Sequence, residues 1–211
     1  MKITKFGHCC LLVETGGKRI LIDPGMYSHG QNFVKGVSAV LVTHEHLDHL
    51  HLESLRVVIE NNPGVRVFTT AGVGKLLDAE QVTHEVLMHR LSAKIGSVDI
   101  EGFGKKHAEI YRTVPPVDNT GFLIGGKFFY PGDAFTDPGV PVEILAMPFS
   151  APWLKISEAI DYVKQLKPKT CFPVHDGLLK SLGPVRILAE KILKEAGIKF
   201  QVIEDGTSAE L

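Results

Sequence analysis

An apolar, β-branched run, Ala39-Val40-Leu41-Val42-Thr43, leads directly into His44-Glu45-His46-Leu47-Asp48-His49. The run suits a strand buried on both faces. The segment after it sets three imidazoles and the Asp48 carboxylate in one turn of chain. Neutral imidazole nitrogen and carboxylate oxygen are the donors that suit zinc and related first-row metals. His44 and His46 are two apart, so in extended chain their side chains leave the same side. Asp48 and His49 follow where the backbone turns toward a helix, and can address a second position. Two metals roughly 3.5–4 Å apart clamp a bridging hydroxide, so the segment reads as half of a two-metal hydrolytic site. A polar loop with surface histidines is the bland alternative, and H-x-H-x-D-H after a strand argues against it.

The remaining composition narrows the class. In 211 residues the formal net charge is −1, with acids and bases balanced and no basic block. A dominant nucleic-acid or anionic-membrane surface is therefore not expected. The first residues, Met1-Lys2-Ile3-Thr4-Lys5-Phe6, lack the long apolar stretch of a signal peptide, and no run approaches the roughly 20 residues that span a bilayer. Three cysteines, two of them adjacent, make no disulfide framework. A cytoplasmic protein with a small-molecule substrate is expected, with self-association into a homo-oligomer left open.

Strand signals dominate the first half: Lys2–Phe6, Cys10–Glu14, Lys18–Asp23 and Val65–Thr69, with a hairpin-like turn at Thr15-Gly16-Gly17. Helical spacing marks Leu50–Asn61, and Gly72–Asp78 reads as a short helix; Met26–Gly36 reads as an exposed loop. Further strands are expected at Val86–Met88, Ser97–Phe103, His107–Arg112, Gly121–Ile124, Lys127–Tyr130, Ile144–Ala146 and Thr170–Val174. Helices are expected at Ile156–Leu166, stopping before Pro168, and at Pro184–Ala196, with Pro at its start and Gly197 past its end. No linker interrupts the chain, so residues 1–211 read as one domain. Runs of strands with few helices favour two sheets packed face to face with helices outside.

One turn of chain cannot complete two metal sites, since a hydrolytic metal takes about three protein ligands plus water. His107, Asp133 and His175 each stand at an expected strand end beside Gly, Pro or polar residues, where functional loops gather. With these residues in place, the chain resembles the metallo-β-lactamase-fold hydrolases. The likeness rests on His44-x-His46-x-Asp48-His49, His107, Gly132-Asp133 and Pro173-Val174-His175, in that order. Gly7-His8-Cys9-Cys10 and Leu21-Ile22-Asp23-Pro24-Gly25 resemble the opening of its ascorbate-6-phosphate lactonase-like branch.

The resemblance implies an α+β, four-layer αββα sandwich with the site at one edge. It implies two divalent metal ions as cofactors: one on His44, His46 and His107, the other on Asp48, His49 and His175, with Asp133 bridging. The oxygen-reducing di-iron branch carries Glu at the position of His46, so zinc is expected, with manganese the alternative.

Other residues divide between roles. Asp23 either orients a liganding imidazole or stabilises its own turn. His8 lines the pocket or is a core histidine, and leans to the latter. Cys171 reads as core packing, and His51, His84 and His89 as surface or packing residues. Tyr27, His29, the Pro115–Asn119 loop, Phe149 and Trp153 are candidates to frame the pocket. The expected activity is zinc-dependent hydrolysis of a small ester, lactone or phosphoester, with Asp48 as the catalytic proton acceptor. Its competitors are a phosphodiesterase of the same fold, a non-catalytic metal-binding module, and a di-iron redox enzyme.

Overall fold

Strict alternation of apolar side chains gives each sheet two buried faces. In β2 (Leu11–Thr15), β3 (Lys18–Ile22) and β4 (Ala39–Leu41), residues Leu11, Val13, Ile20, Ile22, Ala39 and Leu41 enter one core cluster. Their neighbours Leu12, Leu21 and Val40 enter another. Successive strand side chains point to opposite faces, so one sequence pattern serves two cores.

The same rule governs β9 (Gly121–Ile124), β10 (Phe128–Tyr130), β11 (Ile144–Pro148) and β12 (Thr170–Val174). Phe122, Ile124, Phe128, Tyr130, Ile144, Ala146, Phe172 and Val174 share the first core with the strands above. Leu123, Phe129, Leu145, Met147 and Cys171 face a third cluster.

The computed structural model describes residues 1–211. The remaining strands are β1 (Lys2–Lys5), β5 (Arg66–Thr69), β6 (Glu85–Val86), β7 (Ser92–Ile95), β8 (Val98–Phe103), β13 (Lys199–Phe200) and β14 (Ser208–Glu210). They form two seven-stranded mixed sheets, ordered β14-β1-β2-β3-β4-β5-β6 and β13-β12-β11-β10-β9-β8-β7. Helices α1 (Leu52–Asn61) and α2 (Ala71–Ala79) cover the first sheet through Leu55, Val58, Val73 and Leu77. On the second sheet, α3 (Ile156–Leu166) and α4 (Gly183–Glu195) pack through Ala159, Ile160, Val163, Ala189 and Leu193. The result is a four-layer α+β sandwich of the metallo-β-lactamase type.

Parallel pairing of β3 with β4 and of β10, β11 and β12 with one another aligns their C-terminal ends along one edge. The candidate residues leave the sheets there. No helix is long and apolar enough to cross a membrane.

Three local expectations differ from the structure. His107–Arg112 is irregular chain, not a strand. His107 is buried, but residues 109–116 are all exposed, so no inward apolar set pins a register. The Met26–Gly36 stretch is only partly exposed: Ser28, Gln31 and Val34 are buried, and Gln31–Phe33 form a 3₁₀ turn. Strands β7, β13 and β14 carry too little apolar periodicity to be read in advance. The last pairs with β1, Lys2 opposite Glu210.

Phe128 and Phe172 stack at the centre of the inter-sheet core, with ring centroids 5.9 Å apart. Phe172→Ala is expected to lower the stability of the metal-free protein by about 3–5 kcal/mol. Urea unfolding followed by circular dichroism measures this; a change under 1 kcal/mol, on the same scale, would mean the core rearranges to fill the gap.

Candidate metal centre

Asp23 ends β3 with its side chain fully buried and its backbone in the left-handed region, φ 45°. Its carboxylate accepts the Thr43 backbone N–H at 2.8 Å and the Thr43 hydroxyl at 2.7 Å. The same carboxylate lies 2.7 Å from His49 Nδ1. These contacts decide tautomers. A carboxylate only accepts, so His49 donates from Nδ1 and turns Nε2 to the centre. Thr43 has one hydroxyl proton and gives it to Asp23. His44 Nδ1, 3.0 Å from that hydroxyl oxygen, therefore donates, leaving Nε2 bare.

The other imidazoles are set in the same way. His107 Nδ1 donates to the Ala108 carbonyl at 2.5 Å, and His175 Nδ1 donates to the Ser150 carbonyl at 2.6 Å. Their Nε2 atoms face inward. His46 alone turns Nδ1 to the centre, 3.2 Å from His44 Nε2. Fixing a ligand's ring through its other nitrogen is the usual device of metal sites.

Asp133 arrives from the second sheet on the turn after β10. Gly132 takes φ 64°, where a Cβ would lie 2.4 Å from Asn119 Oδ1. Asn119 in turn accepts the Asp133 N–H at 3.0 Å and donates to the Pro131 carbonyl at 3.0 Å. The Asp133 carboxylate meets three imidazoles: Oδ1 lies 3.1 Å from His49 Nε2, and Oδ2 lies 3.3 Å from His107 Nε2 and 3.1 Å from His175 Nε2. The Trp153 indole donates to Oδ2 at 2.8 Å. Asp48 Oδ2 is 3.1 Å from His175 Nε2 and 3.7 Å from His49 Nε2.

His44, His46 and His107 thus bring donor atoms within 4.8 Å of one another, and so do His44, His49 and Asp133. Two donors on one tetrahedral zinc, each about 2.0–2.1 Å from the ion, sit about 3.3 Å apart. The spacings here match that edge. His107 Nε2 is also buried with no hydrogen-bond partner, a costly state for an isolated polar atom. All seven residues singled out from the sequence converge, and the donor set fits divalent cations.

The electrostatics agree. Burial holds the His44 pKa well below the ordinary histidine value, with His49 adding to the effect, so His44 is neutral and able to ligate. Burial opposes charge on Asp133 too, yet the surrounding His49, His107 and His175 carry its carboxyl well below the usual range. Burial likewise opposes a proton on His175, but Cys9, Asp133 and Asp48 raise it to about 11. His49 is raised as well, against burial, by Cys9, Asp133 and Asp23. In the metal-free protein these protons supply the positive charge that the carboxylates demand.

Two residues left undecided by the sequence are resolved. Asp23 orients His49. His8 is buried, with its ring centroid 4.1 Å from that of His175 and its Nε2 3.4 Å from Asp48 Oδ2, so it borders the site. Trp153 borders it as well, with its ring 6.0 Å from His107. The roles of Thr43 and Asn119 escaped sequence reading, because a strand-end Thr and a loop Asn look alike whether or not they hold a ligand.

A family model described as a β-lactamase superfamily domain matches residues 2–175. Protein Rv0786c of Mycobacterium tuberculosis is 37% identical over 188 residues, covering 85% of each chain. A UPF0173 metal-dependent hydrolase of Pyrococcus furiosus is 24% identical over 231 residues, covering 100% of each. Among solved structures, the metallo hydrolase Igni18 of the archaeon Ignicoccus hospitalis superposes with a TM-score of 0.77 at 22% identity, covering 100% of this chain and 98% of that one.

Two predictions follow from the geometry. Gly25 lies against the ligand loop: a Cβ there would meet the Asp48 carbonyl oxygen at 1.8 Å. Gly25→Ala is expected to displace Asp48 and His49 and to reduce bound metal below the wild-type content, read by plasma mass spectrometry on protein whose circular dichroism is unchanged. Because His49 and His175 must surrender protons before Nε2 can ligate, zinc binding should release protons, and zinc affinity should rise with pH across the neutral range. Calorimetry in buffers of different ionisation enthalpy measures this; binding without proton release contradicts the assignment.

Proposed function

The chain belongs to the β-lactamase superfamily and is a metal-dependent hydrolase, and from that footing we propose that it uses two zinc ions to cleave a small ester, lactone or phosphoester. One observation carries the reading. Side chains from separate stretches of both sheets aim ring nitrogen and carboxylate oxygen into one space at 3.1–3.7 Å. His44, His46 and His107 would hold one ion; Asp48, His49 and His175 the other, with Asp133 between them. When bound, the ions would supply an acidified water and polarise the electrophile.

The chain's own groups divide the remaining work. His44, His49, His107, Asp133 and His175 are buried, whereas His46 and Asp48 are half-buried and Leu47 is exposed. Substrate therefore approaches across the His46–Asp48 side. Asp48 stands at that opening with its carboxyl held well below the usual range; burial opposes this, and His175 and His8 overcome it. Ionised and at the opening, it is the group we assign to accept a proton from the attacking water. Trp153, half-buried on Asp133, walls the opening and fixes the carboxylate it touches.

A lactone, phosphorylated or not, is the first substrate class, on the resemblance of Gly7–Cys10 and Leu21–Gly25 to the opening of the lactonase-like branch. A phosphodiester is second. With a net charge of −1 and no basic track, a long nucleic acid is a poor fit.

The test is a panel of lactones, esters and phosphodiesters, assayed before and after chelation and zinc restoration. Turnover that chelator removes and zinc restores is expected. Asp48→Ala at saturating zinc should lower kcat by about 10²–10⁴-fold. Undiminished turnover would remove Asp48 from the mechanism, and bound zinc with no turnover on the whole panel would favour a non-catalytic module.

A further inference from the structure

Cys9 lies in the loop between β1 and β2, fully buried, with Sγ 3.4 Å from His49 Nε2. Its backbone is pinned from both sides. The Cys9 carbonyl accepts the Tyr130 hydroxyl at 3.1 Å, three residues before Asp133, and the carbonyl of neighbouring His8 accepts the His175 N–H at 2.8 Å. Sγ, His8, Asp48 and His175 offer donor atoms that all lie within 4.8 Å of one another. We propose that Cys9 is a thiolate ligand of the cation held by Asp48, His49 and His175. This inference rests on the dinuclear reading of the site.

Three observations converge on it. The first is spacing: a sulfur and a nitrogen on one zinc, at about 2.3 and 2.0–2.1 Å from the ion, lie about 3.1–3.5 Å apart at angles from 90° to the tetrahedral value, a range that holds the 3.4 Å seen between Sγ and Nε2. The second concerns hydrogen bonds. In the metal-free protein His49 Nε2 is the hydrogen-bond partner of Cys9 Sγ. Once Nε2 binds a cation, Sγ loses that partner while remaining fully buried. Coordination resolves the conflict: one metal–sulfur bond forms, the S–H bond breaks, the proton leaves to solvent, and no electrons are transferred.

His8 supplies the third. Its Nδ1 accepts the Gly177 N–H at 3.0 Å, so the neutral ring carries its proton on Nε2. That atom is buried without a well-formed hydrogen bond, in a side chain only 1% exposed. With Asp48 Oδ2 at 3.4 Å and Sγ in the same group of donor atoms, this N–H suits anionic neighbours, and it would steady a thiolate as hydrogen bonds steady other metal ligands.

The other cysteines do not compete. Cys10 faces the core under α1 and α2, and Cys171 faces the core under α3 and α4. Burial pushes the Cys171 thiol up to about 12. Any metal–sulfur signal in this protein therefore belongs to Cys9.

The experiment is X-ray absorption at the zinc edge of the wild-type protein loaded with two zinc ions per chain, paired with optical spectra of the cobalt form. A zinc–sulfur shell near 2.3 Å and a thiolate-to-cobalt charge-transfer band in the near ultraviolet are expected. Both should vanish in Cys9→Ala, with affinity for the second ion lowered on the order of tenfold or more. A shell of nitrogen and oxygen alone in the doubly loaded wild type overturns the inference, whether or not the variant folds, and leaves the hydrolase reading intact. Failure to bind two ions at all would overturn the dinuclear reading and this inference together.

Discussion

The buried carboxylate of Asp23 is the contact from which the site is organised. An ionised group at zero exposure is tolerable only when its lone pairs are filled. Here the Thr43 amide, the Thr43 hydroxyl and the His49 ring fill them. The arrangement couples two tasks. It ties the end of β3 to the end of β4, and it fixes which nitrogen each of His44 and His49 turns inward. Removing the carboxylate would release a proton choice at two ligands together.

The second sheet contributes an equivalent brace. Asn119 spans the Pro131 carbonyl and the Asp133 amide, and the Trp153 indole holds Asp133 Oδ2. Neither brace contributes much to the hydrophobic core, which is complete without them. Their effect is to gather buried, costly-to-desolvate nitrogens and carboxylates, where protons on His49 and His175 balance charge until a cation replaces them. The large inter-sheet core, from Ile3 and Leu11 to Phe172 and Val174, supplies the stability that offsets this. The donors are therefore held in place for cations before any cation arrives, which is the physical meaning of preorganisation.

How much of this was legible follows from where each residue sits in the chain. His44, His46, Asp48 and His49 fall within one stretch of six residues, so local spacing exposes them. The strands around them alternate cleanly, and the sandwich could be read from Leu11–Val13, Ile20–Ile22 and the phenylalanines of β9 and β10. His107 was found through its place in a family order rather than its surroundings, and the strand drawn around it does not exist. Cys9 and His8 sit in Gly7-His8-Cys9-Cys10, where a buried thiol and a core histidine are indistinguishable from ligands until the fold brings His175 and Asp48 alongside. Tautomers are wholly invisible in sequence, because they depend on carbonyls such as those of Ala108 and Ser150.

Backbone strain is distributed in a way that supports the same view. Asp23 and His175 both adopt left-handed geometry, φ 45° and 59°, at a cost of about 1–3 kcal/mol each for residues with a Cβ. Both end strands that point at the cluster. At His175 this geometry accompanies a backbone bond from its amide to the His8 carbonyl and a ring bond to the Ser150 carbonyl. A relaxed extended residue would carry the imidazole onward along β12, away from Asp133. Gln81, Arg90 and Lys167 take the same torsion away from the site, but at Asp23 and His175 it turns a side chain that the cluster uses. Asp23 recovers the cost through the donors it satisfies, and His175 through bonds to two carbonyls on other segments. Strain and ligand orientation are one feature of the chain, expressed once in each sheet.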